Sequence, residues 1–313
     1  MDIYARLEKF RKKIDEEIRD IPSAKEIPLF YEPIHYINQL SGKKIRPILT
    51  ILSGLSIGGQ LENLLYPAAA VELLHNFSLV HDDIMDNDDI RRGKETVHVR
   101  WDVGTAILTG DGLIGLAYRK LLMTPNISDL RIARLFTDAM LDICEGQALD
   151  KTFEKIPTVS RDEYLKMIGK KTATLIQLTC QLGAIVGQGT KEQISVLADY
   201  GFQLGMAFQI QDDLLDIFAD EKDLGKRVGS DLAMNKKTIV TTFLSEKVGK
   251  KPIDIKSLEK VKTLLKSHGI IEEIQQMIEI YFSKAKKLLL SMPQNEYTSL
   301  LFDLTDFIQI REK

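Results

Sequence analysis

Cysteine is scarce. Only Cys144 and Cys180 occur in 313 residues, both in apolar sequence surroundings. That is too few for a disulfide-stapled scaffold and compatible with a reducing compartment. Long apolar runs are missing as well: no stretch reaches the ~18 residues that a membrane-spanning helix needs. The first twenty residues are charged throughout and lack the apolar centre of a secretory signal. Neither sign of charge dominates, since 42 Lys and Arg face 45 Asp and Glu for a formal net charge of -3. No global field therefore favours nucleic acid or an anionic membrane. These absences lead us to expect a cytoplasmic protein with no stable membrane anchor and no nucleic-acid partner, whose anion sites are local.

What is present is helical periodicity. Ala68 to Val80, Leu130 to Leu149, Tyr164 to Val186 and Ile194 to Phe218 carry apolar residues at spacings of three and four, the signature of amphipathic or buried helices. Pro47 and Pro67 fall near plausible helix starts, and Pro125, Pro157, Pro252 and Pro293 fall between periodic segments. Ser160 with Glu163 makes a capping box ahead of Tyr164. No period-two strand stands out, and no composition shift divides the chain. The expectation is an all-α protein, one domain over residues 1–313, with roughly ten or more helices of ordinary length. Two stretches lack strong periodicity, Asn87 to Val99 and Asp220 to Lys237, and each directly follows an aspartate cluster.

Those clusters are Asp82, Asp83 and Asp86, and Asp212, Asp213 and Asp216, both spelling DDxxD. On a helix, positions i and i+4 share a face, so the outer carboxylates of each triad converge while the middle one flanks them. Like charges at that spacing, near a helix C-terminus, oppose both each other and the helix dipole. A cation relieves the conflict, and oxygen ligands of this kind suit Mg²⁺ bridging to phosphate. A solvated helix end explains one such cluster; two of them, each ahead of a basic stretch, point to a site.

Phosphate would also need cations. Arg91 and Arg92 follow the first triad, Lys226 and Lys236 the second, and Lys43-Lys44-Ile45-Arg46 and Lys170-Lys171-Thr172 add two more groups. Arginine meets phosphate as a planar fork and lysine as a point charge. Lys43 and Arg46 are three apart and can face one target. For Lys44, Lys170 and Lys237 an ordinary exposed side chain is an equal alternative.

In order along the chain, GKKIRP, HNFSLVHDDIMDNDDIRRGK, GQALD, KKT and FQIQDDLLD followed by GKRVGSD resemble the motifs of the trans-isoprenyl diphosphate synthases, most closely the archaeal-type short-chain geranylgeranyl and farnesyl diphosphate synthases. The resemblance implies a helical bundle around a central cavity, the isoprenoid synthase type I fold. It also implies a homodimer and a prenyltransferase that adds isopentenyl diphosphate to allylic diphosphates. Lys43, Arg46, His75 and Arg92 would bind isopentenyl diphosphate. Arg91, Lys171, Thr172, Gln209, Lys226 and Lys236 would bind the allylic diphosphate. Asp82, Asp86, Asp150 and Asp212 would hold Mg²⁺, three ions with substrate bound. Asp83, Asp213, Asp216 and Asp231 would stand behind them, and Gln147 pairs with Asp150 in the family's GQxxD element. Thr172 would lie beside the forming carbocation. Arg227 and Asn235 replace residues common among relatives.

On this resemblance, the growing tail is expected to run along the helix before Asp82. Phe77 lies five residues earlier, about 7.5 Å at roughly 1.5 Å per residue. A bulky Phe77 with small Ser78 beside it resembles the pattern of geranylgeranyl diphosphate synthases, with Leu74 a deeper candidate floor. Farnesyl and longer-chain products remain alternatives. Two other classes also compete. Glu72-x-x-His75 and Glu95-x-x-His98 match the element of di-iron carboxylate bundles, and a terpene cyclase would share the first DDxxD. The basic groups and the intact second triad favour chain elongation. His81 and Trp101 receive no catalytic role.

Overall fold

The computed structural model describes residues 3–40, 42–125, 130–218, 230–234, 236–249 and 258–310. Helices α1 (Ile3–Arg19), α2 (Pro28–Gln39), α3 (Ile45–Leu55) and α4 (Leu61–Asp86) lead into a small antiparallel hairpin, β1 (Ile90–Arg91) with β2 (Lys94–Glu95). Then come α5 (Val97–Arg100), α6 (Val103–Leu122), α7 (Leu130–Phe153) and α8 (Arg161–Ile168), a π-helical turn (Gly169–Ala173), α9 (Thr174–Val186) and α10 (Lys191–Phe218). The chain continues through α11 (Ser230–Ala233), α12 (Ile239–Val248), α13 (Leu258–Ser267), α14 (Ile270–Leu289) and α15 (Glu296–Ile310).

Two long helices organise the bundle. α4 packs on α3 and α6, α10 packs on α9 and α14, and α3 meets α9 between them. Both are buried nearly all round: Ala68, Ala69, Ala70 and Val71 of α4 have no exposed surface, nor do Leu204, Ala207 and Ile210 of α10. Small residues let neighbouring helices close in, and the buried apolar side chains join into one cluster. The DDxxD triads lie in the last turns of these two helices. Burial of the helix body thus fixes where the charged ends emerge.

Several local expectations change. Pro67 lies inside α4, not at its start, because the helix begins at Leu61 after an extended Gln60. The missing N–H forfeits one early helical bond, and buried packing of Leu64, Ala68 and Ala69 keeps the helix running. The stretch after the first triad, which carries no strand signal in the sequence, folds into the β1–β2 hairpin, with Arg92 (φ 51) and Gly93 (φ 72) at its turn. Two consecutive positive φ values make the turn that suits a two-residue hairpin loop. Cys180 is buried as its apolar surroundings suggest, but Cys144, on α7, is exposed. Trp101 sits at the edge of the core, edge-on to Tyr36 at 5.4 Å and beneath the Arg100 guanidinium. The capping box of Ser160 and Glu163 is present at α8.

The periodic stretch from Tyr164 to Val186 is helical throughout but interrupted by the π turn at Gly169–Ala173. A π turn inserts one residue and re-aims its side chains. It fits here because α7 presents Gly146 to it: a Cβ at Gly146 would lie 2.3 Å from the Lys171 backbone nitrogen.

Candidate active site

The ends of α4 and α10 open into a common cavity of about 650 Å³. Asp82 and Asp86 line it from α4, Asp212 from α10, Asp150 from α7 and Asp231 from α11, with Lys171, Lys236, Arg91 and Arg92 among them. The two triads therefore face one space. Asp213 also lines it, while Asp83 and Asp216 lie outside the lining. Asp83 is buried and accepts the Arg91 Nε proton at 2.5 Å. Asp213 accepts from Tyr164 at 2.6 Å, from the Ile239 backbone N–H at 3.0 Å and from Gln209 at 2.8 Å. Asp216 is buried and accepts from the Asp231 backbone N–H at 3.4 Å.

Cations already stand against the lining carboxylates. Lys236 reaches Asp86 at 2.8 Å and Lys151 reaches it at 3.5 Å, while Lys171 reaches Asp150 at 2.5 Å. Burial works to raise the Asp86 pKa, but Lys236, helped by Lys171 and Lys151, outweighs it and holds the carboxyl below its ordinary range. Asp82 goes the other way: burial, against the pull of Lys171, pushes it up to about 6. Burial likewise lifts Asp83 and Asp213 to about 7 each.

Lys171 and Thr172 come from the π turn. The Thr172 hydroxyl donates to Gln209 Oε1 at 2.8 Å, and Gln209 donates onward to Asp213. The Thr172 proton is thus committed, which leaves its oxygen lone pairs for positive charge in the cavity.

A second pocket of about 560 Å³ is lined by Arg11, Gly42, Lys43, Lys44, Ile45, Arg46, Glu72, His75, Arg92 and Phe208. Arg92 lines both pockets. Arg46 donates to His75 Nε2 at 3.1 Å, so that nitrogen carries no proton. Burial, then Arg46 and Arg92, drive the His75 pKa well down, and the imidazole is neutral. Burial pushes the Arg46 pKa down to about 10, with Arg92 adding to the shift and Glu72 opposing it.

Of the sequence-predicted residues, Lys43, Arg46, His75 and Arg92 line the basic pocket, and Arg91, Arg92, Lys171, Thr172, Gln209 and Lys236 line the acidic cavity. Lys226, with Arg227 and Asn235, lies outside the described residues. Lys44 is neither a solvated surface lysine nor free for a ligand, being buried and paired with Glu72 at 3.0 Å. Lys170 points to Asp142 and Glu145. Lys237 does line the cavity. Gln147 is buried with neither amide atom hydrogen-bonded. Phe77 and Leu74 are buried below the triad and Ser78 donates back to the His75 carbonyl; from this part of α4 it is Leu79 that reaches the cavity wall. Phe77 stands edge-on to His81 at 4.8 Å.

The residues that sequence reasoning missed are Tyr164, Lys151 and Arg11. Tyr164 reads as one more apolar position of α8, and Lys151 had only its place beside Asp150 as a signal. The di-iron alternative fails on geometry, because Glu72 is taken by Lys44 and Glu95 is exposed on the hairpin.

Among the described residues, no three His, Cys, Asp or Glu side chains converge closely enough to cage a metal unaided. Spread carboxylates fit Mg²⁺ in its usual mode, one or two carboxylates plus waters and substrate phosphate, and do not fit an all-protein cage.

A family model described as polyprenyl synthetase matches residues 27–280. The short chain isoprenyl diphosphate synthase of Methanothermobacter thermautotrophicus is 36% identical, covering 100% of this chain and 99% of its own. A geranylgeranyl pyrophosphate synthetase structure from Pyrococcus horikoshii superposes with a TM-score of 0.91 at 38% identity, covering 99% of this chain and 98% of its own. A polyprenyl synthase from Caulobacter crescentus, complexed with calcium and isoprenyl diphosphate, gives 0.89 at 25% identity, covering 99% of this chain and 97% of its own.

Proposed function

The chain belongs to the polyprenyl synthetase family, and on that premise we propose that it adds isopentenyl diphosphate head-to-tail to allylic diphosphates. Geranylgeranyl diphosphate (C20) is the main product and farnesyl diphosphate an intermediate. The all-helical bundle is the isoprenoid synthase type I fold. One observation carries the reading: an acidic cavity and a basic pocket adjoin, with Arg92 lining both. Two diphosphates bound side by side would meet head to tail.

Asp82, Asp86 and Asp212 would hold Mg²⁺ with Asp150 close by, three ions in the substrate complex. When bound, the metal supplies Lewis-acid stabilisation of the departing diphosphate. The protein's own cations do the rest. Arg91, Lys171, Lys226 and Lys236 would take the allylic diphosphate, and Lys236 and Lys171 would exchange Asp86 and Asp150 for phosphate oxygens. The Thr172 oxygen, its O–H already hydrogen-bonded to Gln209, would face the allylic cation. Lys43, Arg46 and Arg92 would take isopentenyl diphosphate without metal. Neutral His75, with Nε2 accepting from Arg46, would donate through Nδ1. The released diphosphate would accept the proton lost on coupling. Phe77, with Ser78 and Leu74, would close the tail's path along α4.

The chain would work as a homodimer in the cytoplasm. Val103, Ile107 and Leu108 on α6 are roughly half exposed, an apolar strip suited to a second copy. Among the described residues, no helix is long and apolar enough to cross a membrane.

The test is incubation with labelled isopentenyl diphosphate, Mg²⁺ and each allylic primer in turn, with products sized by chromatography. Incorporation with dimethylallyl, geranyl or farnesyl diphosphate is expected, and no incorporation with any primer would refute the reading.

A further inference from the structure

The basic pocket has one wall that the family motifs do not include. Helix α1 is seated by Leu7, Phe10, Ile14 and Ile18, all at most 2% exposed and spaced three or four apart. Its far end is tied down by Lys120 of α6, whose ammonium lies 2.6 Å from Glu17 and 2.8 Å from Asp20. Rotation and height of α1 are therefore fixed by the fold, and that setting brings Arg11 into the pocket lining.

Two side chains of α1, one helical turn apart, engage the loop before α3. Arg11 donates to the Gly42 carbonyl at 3.5 Å, and Asp15 stands 3.8 Å from the Lys44 ammonium. The Arg92 guanidinium lies on the same loop, donating to the Leu40 carbonyl at 3.3 Å, and a Cβ at Gly42 would come within 2.9 Å of it. Two guanidinium groups thus flank one glycine, and any side chain there would displace the Arg92 group. Lys44 and Glu72 pair with each other, and Arg11, Lys43, Arg46 and Arg92 are the other cationic side chains in the lining. Glu8 stands 3.6 Å from Arg11 on the solvent side, and the Arg11 side chain is 29% exposed. The fork is held at the pocket's edge, partly open to solvent.

We propose that Arg11 is a further binding residue for the diphosphate of isopentenyl diphosphate, delivered by the N-terminal helix. The inference rests on the reading of the basic pocket given above. On that reading, Arg11 and Arg92 both line the pocket beside Gly42, and their two forks would hold the phosphate together.

The test compares full-length wild type with Arg11→Met, which keeps the apolar stem, and Arg11→Lys, which keeps the charge. The Michaelis constant for isopentenyl diphosphate should rise about tenfold in Arg11→Met, the worth of one charge-assisted hydrogen bond. The allylic Michaelis constant and kcat should change less than about twofold, and Arg11→Lys should recover most of the loss. The isopentenyl constant should also depend less on salt in Arg11→Met, because one cation is gone; a merely structural residue would not change that slope. An unchanged isopentenyl constant and salt slope, or equal rises for both substrates, would overturn the proposal. Should Arg11→Met not fold, Arg11→Gln with the same readings decides. Failure of the wild type to incorporate isopentenyl diphosphate at all would instead refute the functional reading beneath it.

Discussion

In the acidic cavity the carboxylates already hold cations: Asp86 has Lys236 and Lys151, Asp150 has Lys171, and Asp83 has Arg91. In the basic pocket the balance is reversed, since Glu72 is the one carboxylate among its described lining residues and Lys44 occupies it. The first region is acidic on balance, eight aspartates against five Lys and Arg in its described lining, and needs added positive charge before it can accept a diphosphate. The second carries surplus positive charge at rest, at the cost of mutual repulsion that helps lower the Arg46 pKa to about 10. On the proposed reading, two ways of binding one chemical group would lie side by side, one dependent on metal and one independent of it.

The largest test of this contrast removes the carboxylates. Asp82→Ala and Asp212→Ala should each lower kcat by roughly a thousandfold, the scale of losing a group that stabilises developing charge. Full turnover by either variant would break the comparison, because the cavity would then work without its metal-facing oxygens.

Next comes metal removal against cation removal. Chelation should abolish turnover yet leave inorganic pyrophosphate able to bind the basic pocket, as read by calorimetry. Arg46→Ala should do the reverse, keeping Mg²⁺ dependence while raising the Michaelis constant for isopentenyl diphosphate by about a hundredfold, consistent with a buried charged hydrogen bond worth ~3 kcal/mol. Loss of pyrophosphate binding on chelation would mean that both pockets rely on metal.

A third test uses stability. Burial raises the Asp82 pKa from 3.8 to about 6. A carboxyl raised in this way opposes folding when ionised: the cost is absent below pH ~4, grows as pH rises toward 6, and is complete above it. Asp82→Asn should therefore stabilise the metal-free protein at pH 8 by on the order of 1–2 kcal/mol, with the gain vanishing near pH 4. Thermal melts at both values check the sign. A destabilised variant at pH 8 would show that Asp82 contributes to the fold, and the strain argument would fall.

Much of this contrast was legible in the chain because its signals are local. DDxxD places carboxylates by helical spacing alone, and the apolar bodies of α4 and α10 follow from periodicity. What was hidden depends on distance or on backbone detail. The Lys236–Asp86 contact joins residues 150 apart, and no local pattern encodes it. Tyr164 looks like core until Asp213 is found beside it. The π turn is invisible because Lys170-Lys171-Thr172 keeps helical composition; only Gly146 on another helix makes room for it. Arg92 adopts a left-handed φ of 51, a conformation costing an ordinary residue about 1 kcal/mol. The neighbouring Gly93 hints at a turn without revealing that the arginine is its first corner. Lys44 is the clearest misdirection: its place in a basic run suggests ligand binding, and its burial against Glu72 removes it.

The smallest effect concerns depth, in which the two pockets also differ. On the proposed reading, isopentenyl diphosphate would bring only a short hydrocarbon to the basic pocket, whereas the allylic tail would grow and leave the acidic cavity along α4. Phe77 is 5% exposed, packed edge-on to His81 at 4.8 Å, and Leu79 rather than Phe77 reaches the cavity wall. Held in that way, Phe77 would stop the tail without touching the reacting atoms. Phe77→Ala should therefore leave the initial rate within about threefold, an effect of less than ~1 kcal/mol on the barrier. It should shift products toward chains longer by one isoprene unit or more, as read by chromatography of the dephosphorylated alcohols. The cavity it opens would cost about 3–5 kcal/mol of stability, so the assay belongs well below the variant's melting temperature. If the products are unchanged in a folded variant, the floor lies deeper, and Leu74→Ala, on the same helix and fully buried, becomes the variant expected to lengthen them.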